Sequence, residues 1–316
     1  MAIELELPAD VAGERLDVLL AESLGSRSRA QRLIVAGRVL VDGATVRKSH
    51  RVGGGEHVVV DETPEDAGQP AEGAPVAQFA VAYEDEHLLV VDKPAGVVVH
   101  PARGHREGTL AQALSGRAAG GEEAWRAGIV HRLDRNTSGL LVVAKNDAVH
   151  RALKAQLAAR EITREYLALV EGRPPARRGT IEAPIGRDRR NRMLMSVDAV
   201  ADAPKDAITH FEIERTLAQA TLLRVRLQTG RTHQIRAHLK AIGHPVLGDP
   251  EYGVPGLGLR RQFLHAARLG LARPGDGARL QAWSELPADL VASLDAAGLR
   301  VPAGRLPSGV GAEVDG

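Results

Sequence analysis

Asp134 is the residue whose type and setting point most directly to chemistry. It lies in GIVHRLDRNTSGLLVVAKN, residues 128–146, in a polar loop between two apolar runs. Arg132 and Arg135 flank it, and Thr137, Ser138 and Gly139 follow. The runs are β-like: Ile129 and Val130 before the loop, then Leu140, Leu141, Val142 and Val143 after it. A carboxylate on a loop between two strands is exposed yet rigidly supported, which suits a reacting group. The arginines suit an anionic substrate. An ordinary surface turn would carry the same residues, so the reading depends on the rest of the chain.

A second constellation runs from Leu227 to Gly253, LQTGRTHQIRAHLKAIGHPVLGDPEYG. Gly230 permits a tight turn after a strand, and Thr232 is placed to cap a helix. On that helix Ile235, Leu239 and Ile242 fall at i, i+4 and i+7 and are expected to face the core, with Gly243 ending it. Arg231 is thus expected at a strand–helix junction, where it can pair with a carboxylate from another segment. A purely structural bridge is the alternative. His233, His238 and His244 invite a metal reading. However, His233 and His238 are five apart, about 140° around a helix, so they do not share a face. No metal site is expected. Gly256-Leu257-Gly258 lacks the strand–GxGxxG–helix context of a nucleotide site. His131, Asp134 and Ser138 crowd into one loop without a nucleophile elbow, which disfavours a hydrolase triad.

The composition narrows the classes further. The 316 residues contain no cysteine, which excludes disulfides, thiolate catalysis and Cys-ligated zinc. No apolar run is long enough to span a bilayer, and the start MAIELELPAD lacks the basic and apolar regions of a signal peptide. A cytoplasmic protein without membrane contact is expected. The net charge of +1 conceals a local bias. Arg27, Arg29, Arg32, Arg38, Arg47, Lys48 and Arg51 face the single acid Asp42 within residues 27–51, whereas residues 61–72 are acidic. With three Phe, three Tyr and two Trp, a sheet that binds single strands by aromatic stacking is disfavoured.

Those patterns divide the chain into four parts. Residues 1–60 form a small αβ unit. Leu16, Leu19, Leu20 and Leu24 have helical spacing, and Ser26 or Ser28 can cap a second helix through Leu33 to Ala36. VLVDGATV signals a type I′ hairpin at Asp42-Gly43, and a third strand is expected near Val58–Val60. Arg29 and Arg32 lie together on the second helix, as a phosphate-binding face or as an ordinary solvated one. Residues 61–77 are an acidic Pro/Gly-rich linker, and 303–316 an expected disordered tail. Residues 78–302 carry short strands mostly joined by turns, with a helix near 110–114 and another over about 147–159. Further strands are expected at 165–170, 207–217 and 220–228. The fold class is therefore α+β with a mixed, largely antiparallel sheet.

At this point the chain resembles the RluA-type pseudouridine synthases, in the RluD-like branch that carries an N-terminal S4-like RNA-binding domain. The resemblance covers about residues 13–300. Its motifs, in order, are RLDVLL, SRSRAQRLIVAGRVLVDG, YEDEHLLVVDKPAGVVVHP, GIVHRLDRNTSGLLVVAKN, REITREYLALVEG, LQTGRTHQIRAHL, HPVLGDPEYG and FLHAARL. The HRLD and TSG element together with TGRTHQIR is highly specific.

The resemblance implies the fold and the chemistry. Asp134 matches the family's essential aspartate, Tyr166 the tyrosine that packs against the target base, and Arg231 the basic residue that pairs with the aspartate. Arg132 matches the arginine that helps displace the base, and Leu264 an apolar contact beneath it. Arg27, Arg29 and Arg32 of the S4-like unit would contact phosphate. Neither metal nor nucleotide cofactor is implied. The partner implied is RNA, with large-subunit ribosomal RNA or its precursor as the substrate of a monomer. Isomerising uridine breaks C1′–N1, turns the uracil and forms C1′–C5. A glycosidase would need a pair of carboxylates about 5 to 9.5 Å apart, which one aspartate with a tyrosine and an arginine does not supply. Asp134 either attacks C1′ or takes a C2′ proton. Two rivals are a non-catalytic RNA-binding or ribosome-assembly factor on the same fold, and a metal-dependent hydrolase.

Overall fold

The structure is a computed structural model that describes residues 2–24, 27–61, 77–101, 107–121, 126–197 and 201–300; of residues 2, 22, 27–29 and 32 only the backbone is described. The linker expected over 61–77 and the tail expected over 303–316 fall almost wholly or wholly outside these residues, as does Ser26.

The N-terminal unit consists of β1 (Ala2–Glu6), α1 (Leu16–Leu24), α2 (Arg27–Val35), β2 (Val39–Val41), β3 (Ala44–Thr45) and β4 (His57–Asp61). Leu16, Leu20 and Leu24 recur every four residues, so one stripe of α1 is buried against Ala30 and Ile34 of α2 and against Val39, Val41, Val58 and Val60. Asp42 and Gly43 both have positive φ, 48° and 78°, as a type I′ turn requires. β1, which the sequence pattern did not reveal, pairs antiparallel along the whole of β4.

The second unit holds β5 (Ala80–Glu84), β6 (Leu88–Lys93), α3 (Leu110–Ala113), β7 (Ser138–Ala144), α4 (Asp147–Ala158), β8 (Thr163–Glu171), β9 (Arg178–Glu182), β10 (Ile185–Arg187), β11 (Met195–Ser196) and β12 (Asp202–Lys205). It continues with β13 (Ile208–Thr216), β14 (Ala220–Leu227), α5 (Gln234–Ala241), β15 (Leu264–Ala272), β16 (Arg279–Trp283) and α6 (Ala288–Ala296). Its main sheet runs β5-β6-β7-β15-β8-β14-β13-β9, with β16 added to β15. Among the described strands only the β7–β15 pairing is parallel, which bears out the mixed, largely antiparallel class.

Alternation sorts the central strands onto two cores. Leu89, Val91, Leu141 and Val143 pack with α3, α5 and α6 through Leu110, Ile235, Leu239 and Leu290. Leu88, Val90, Leu140 and Val142 pack with Val149 and Leu153 of α4. Each such buried side chain contributes roughly 1.5–3 kcal/mol. The late strand β15 is the keystone, because it lies between β7 and β8. It pairs His265 with Ser138 on one side and Ala266 with Tyr166 on the other. That approach requires Gly139: its φ is 108°, and a Cβ there would lie 2.2 Å from the Ala266 carbonyl oxygen.

α5 departs from the sequence expectation in two ways. Thr232 does not cap it; His233 precedes the helix in the left-handed region, at φ 54°, without a side-chain cap. Gln234 orders the turn instead, its Oε1 accepting from Arg231 N at 2.9 Å and Thr229 Oγ1 at 2.8 Å. Ile242 lies at the C-cap and is 38% exposed, because the helix ends at Ala241 before the i+7 position can turn inward.

Candidate active site

The Asp134 loop is held from several sides by groups that leave the carboxylate free to act. His131 opens it, its Nε2 accepting from the backbone N–H of Val142 at 3.2 Å. Burial pushes this imidazole down to about 3, so it stays neutral. Lys93 has no exposed surface. Its Nζ donates to the carbonyls of Pro94, Val97 and Arg135 at 2.8, 3.1 and 3.0 Å. The Lys-Pro-Ala-Gly turn is thereby tied to the residue after Asp134. Burial pushes Lys93 down to about 7, opposed by the charge of Asp134.

Arg261 holds the far end of the loop. Its Nε and Nη2 form a fork on Asp289 of α6 at 2.6 and 2.9 Å. Its Nη1 donates to Asn136 O at 3.1 Å and Ser138 Oγ at 3.3 Å. His265 Nε2 lies 3.1 Å from the Ser284 carbonyl, which can only accept, so Nε2 carries the proton. Nδ1 therefore accepts from Ser138 Oγ at 3.0 Å. This orders the chain Arg261 to Ser138 to His265 to Ser284. Burial holds His265 neutral, at about 4. The buried Ser138–His265 contact is thus a strut rather than part of a triad.

The carboxylate itself meets Arg236, whose Nη1 donates to Asp134 Oδ2 at 3.1 Å. Arg236 is 4% exposed and also forks onto Asp249, at 2.6 and 2.8 Å, and bonds Glu251 at 2.6 Å. Its guanidinium lies 4.8 Å from the centre of the Tyr252 ring, a cation–π contact. Burial alone would lower the pKa of Arg236; the bonds to Asp249 and the charges of Asp249 and Asp134 outweigh it and raise it. Tyr252 OH accepts from Met195 N at 2.6 Å and lies 3.0 Å from His233 Nδ1.

Tyr166, on β8, is 5% exposed. Burial pushes its phenol up to about 12; the charge of Arg164 opposes this and that of Asp134 adds to it. Tyr166 is therefore a neutral ring beside the Asp134 carboxylate. Leu264 opens β15, packs in the same core as Tyr166 and is 4% exposed. Arg132 is exposed on the loop, two residues before Asp134. The side chains of Arg27, Arg29 and Arg32 lie outside the described residues, although their backbone is in α2.

Arg231 is not the partner of Asp134. It is exposed, and its Nε donates to the Asp206 carbonyl at 3.0 Å. It lies before the first turn of α5, whereas Arg236 is on the buried face of that helix beside Ile235. The sequence reading missed Arg236, Asp249, Glu251, Lys93 and Arg261. A signal was present for Arg236: a charged residue next to a core position of an amphipathic helix must be paired. Asp249 and Glu251 form the acid cluster of that motif, and the guanidinium fills its centre. Among the described residues no group of three His, Asp or Glu side chains is arranged to hold a metal ion.

Comparison with known proteins agrees with this geometry. The chain matches the family model for RNA pseudouridylate synthase over residues 87–241 and the S4 domain over 14–58. It is 44% identical over 305 residues to "Ribosomal large subunit pseudouridine synthase D" of Pseudomonas aeruginosa, covering 90% of this chain and 92% of that one. An "Uncharacterized RNA pseudouridine synthase" of Chloroflexus aurantiacus is 48% identical, covering 90% of each chain. Among solved structures, Human RNA Pseudouridylate Synthase Domain Containing 1 superposes with a TM-score of 0.53 at 29% identity, covering 69% of this chain and 87% of that one. No helix among the described residues is long and apolar enough to cross a membrane. With a buried arginine on its loop aspartate and relatives of this identity along nearly its whole length, this chain belongs to the RNA pseudouridine synthase family, as an isomerase acting on RNA with an S4 domain ahead of its catalytic domain.

Proposed function

We propose that the protein converts uridine to pseudouridine in large-subunit ribosomal RNA, with Asp134 as the reacting carboxylate. The observation that carries this reading is the Asp134–Arg236 pair at 3.1 Å beside the neutral ring of Tyr166. The substrate follows from the name of the Pseudomonas aeruginosa relative. A uridine inside a stem is unreachable and must flip out, which costs on the order of a few kcal/mol of unstacking. In this reading Arg132 fills the vacated space, Tyr166 supports the flipped base and Leu264 lies beneath it. Asp134 then attacks C1′ or removes a C2′ proton, and the N–H of Arg236 holds the carboxylate in place. Arg27, Arg29 and Arg32 supply phosphate contacts from the S4 domain. The chain acts as a cytoplasmic monomer, with residues 1–60 for RNA binding, 61–77 as a connection, 78–302 for catalysis and 303–316 as a tail.

Asp134→Asn tests this reading. The amide is near-isosteric but neither attacks nor abstracts a proton efficiently. Pseudouridine formation in ribosomal RNA fragments should vanish while RNA binding persists. Turnover within a few-fold of wild type, with deamidation excluded, would remove Asp134 from the chemistry.

A further inference from the structure

Two residues before Tyr166 on β8, Arg164 is a buried cation whose own fold supplies no counter-ion among the described residues. It is 7% exposed. Its hydrogen bond runs from Nη2 to the Gln228 carbonyl, at 3.5 Å, the outer limit of such a contact. Its Nε is buried without a partner, and no carboxylate lies within salt-bridge distance of it among the described residues. Other buried arginines of this unit are paired: Arg236 with Asp249 and Arg261 with Asp289. An unpaired buried charge is expensive, so retaining one calls for a ligand that completes it.

The surroundings say where such a ligand would come from. The guanidinium lies against the turn that follows β14: a Cβ on Gly230 would come within 2.8 Å of Arg164 Nη1. A larger residue there would make the guanidinium shift. The charge of Arg164 reaches the Tyr166 hydroxyl and the His131 ring. Arg164 thus lies on the strand of Tyr166 and against the turn that leads into α5 and Arg236, two of the elements that frame the proposed reaction. Its low exposure matches that of the site itself, since Tyr166 is 5%, Leu264 4% and Arg236 4% exposed.

We propose that Arg164 is a binding residue for an anionic oxygen of the RNA, which supplies the missing counter-charge. This rests on the pseudouridine synthase reading. Two oxygens of the substrate have that chemistry. One belongs to a phosphodiester flanking the target uridine. The other is a uracil carbonyl oxygen, which gains negative charge when the C1′–N1 bond breaks and its electron pair stays on the ring. An unpaired, pre-placed cation favours either, and in a water-poor setting it does so strongly.

Arg164→Gln, measured for RNA affinity and for single-turnover rate at saturating RNA, tests the assignment. A second arm uses RNA in which a neutral methylphosphonate replaces one flanking phosphodiester. If the phosphodiester is the ligand, Arg164→Gln weakens affinity about tenfold or more, and the methylphosphonate adds no further loss. If the uracil oxygen is the ligand, affinity holds, the saturating rate falls about a hundredfold, and the methylphosphonate effect is the same in both proteins. Affinity and rate both within about twofold of wild type, in a folded protein, would overturn the proposal. Should Arg164→Gln fail to fold, Arg164→Lys keeps the charge and removes Nε: a comparable loss supports the assignment, and wild-type values overturn it. Wild type without any pseudouridine product would instead defeat the reading on which this rests.

Discussion

Arg236 and Arg261 both grip the Asp134 loop, and they do so by different physics. Arg236 faces three carboxylates, Asp249, Glu251 and Asp134, and reaches Asp134 with a single N–H. Arg261 faces one carboxylate, Asp289, and directs its remaining N–H groups to neutral acceptors, Asn136 O and Ser138 Oγ. The first arginine holds a charge; the second holds a backbone. Because Asp249 anchors Arg236 by a fork, the guanidinium keeps its position when Asp134 is engaged elsewhere. Because Arg261 reaches the loop through the Asn136 carbonyl and the Ser138 hydroxyl, it fixes the loop without touching the carboxylate.

The sharpest way to break this contrast is to remove each arginine. Arg236→Met strips the partner from Asp249, whose side chain has no exposure. Such a loss costs about 3–5 kcal/mol, because a buried charge is left unpaired. The single-turnover rate should fall about a hundredfold or more. Urea unfolding and single-turnover assays read the two effects, and a rate no lower than that of the Arg261 variants would erase the distinction. Arg261→Ala should cost about 2–4 kcal/mol and lower the rate about tenfold through loss of loop geometry, with RNA affinity unchanged. Arg261→Lys should recover part of the stability but not the fork. Equal loss of affinity and rate would mean that Arg261 touches the RNA.

The neutral imidazoles behind the loop provide a weaker, pH-dependent probe. Folded His131 and His265 sit at about 3 and about 4, below the 6.5 of an unfolded histidine. Between those values the unfolded chain binds more protons, so stability rises with pH there. The contribution is complete above about pH 6.5 and is lost as pH falls toward 4. Every tenfold difference in proton affinity between the folded and unfolded chains corresponds to roughly 1.4 kcal/mol. Denaturant midpoints of wild type and His265→Asn between pH 4 and 7 should converge on the acid side. Parallel curves would show that His265 titrates normally.

The smallest effect is expected at Arg231. Arg231→Ala removes an exposed side chain bonded to one carbonyl. Stability should change by about 0.5 kcal/mol or less, and the rate on saturating RNA should stay within about a few-fold of wild type. A hundredfold fall, as for Arg236, would show that the helix start rearranges around bound RNA.

Much of this protein follows from local patterning. The leucines of α1, the Asp42-Gly43 turn, the strand after the Asp134 loop and the absence of a regular βαβ alternation are all short-range signals. They depend on spacing within one element and on backbone preferences, which a sequence displays directly. Asp134 was legible for the same reason, since its loop runs directly into β7, although the run before it, Ile129-Val130, forms no strand and only bridges from Ile129 to Val143. Tertiary structure alone decided which groups surround it. Arg236 and Arg231 are five residues apart in one motif, and only the start of α5 at Gln234, after the left-handed His233, determines which of them turns inward. Lys93, Arg164, Asp249 and Arg261 come from four separate segments. Lys93 and Arg261 reach the Asp134 loop directly and Asp249 reaches it through Arg236, whereas Arg164 lies against the turn before α5; the sheet that sets β6, β7 and β15 side by side decides this. No local spacing encodes such a crossing; it is set by which buried surfaces and buried charges satisfy one another once the sheet has closed.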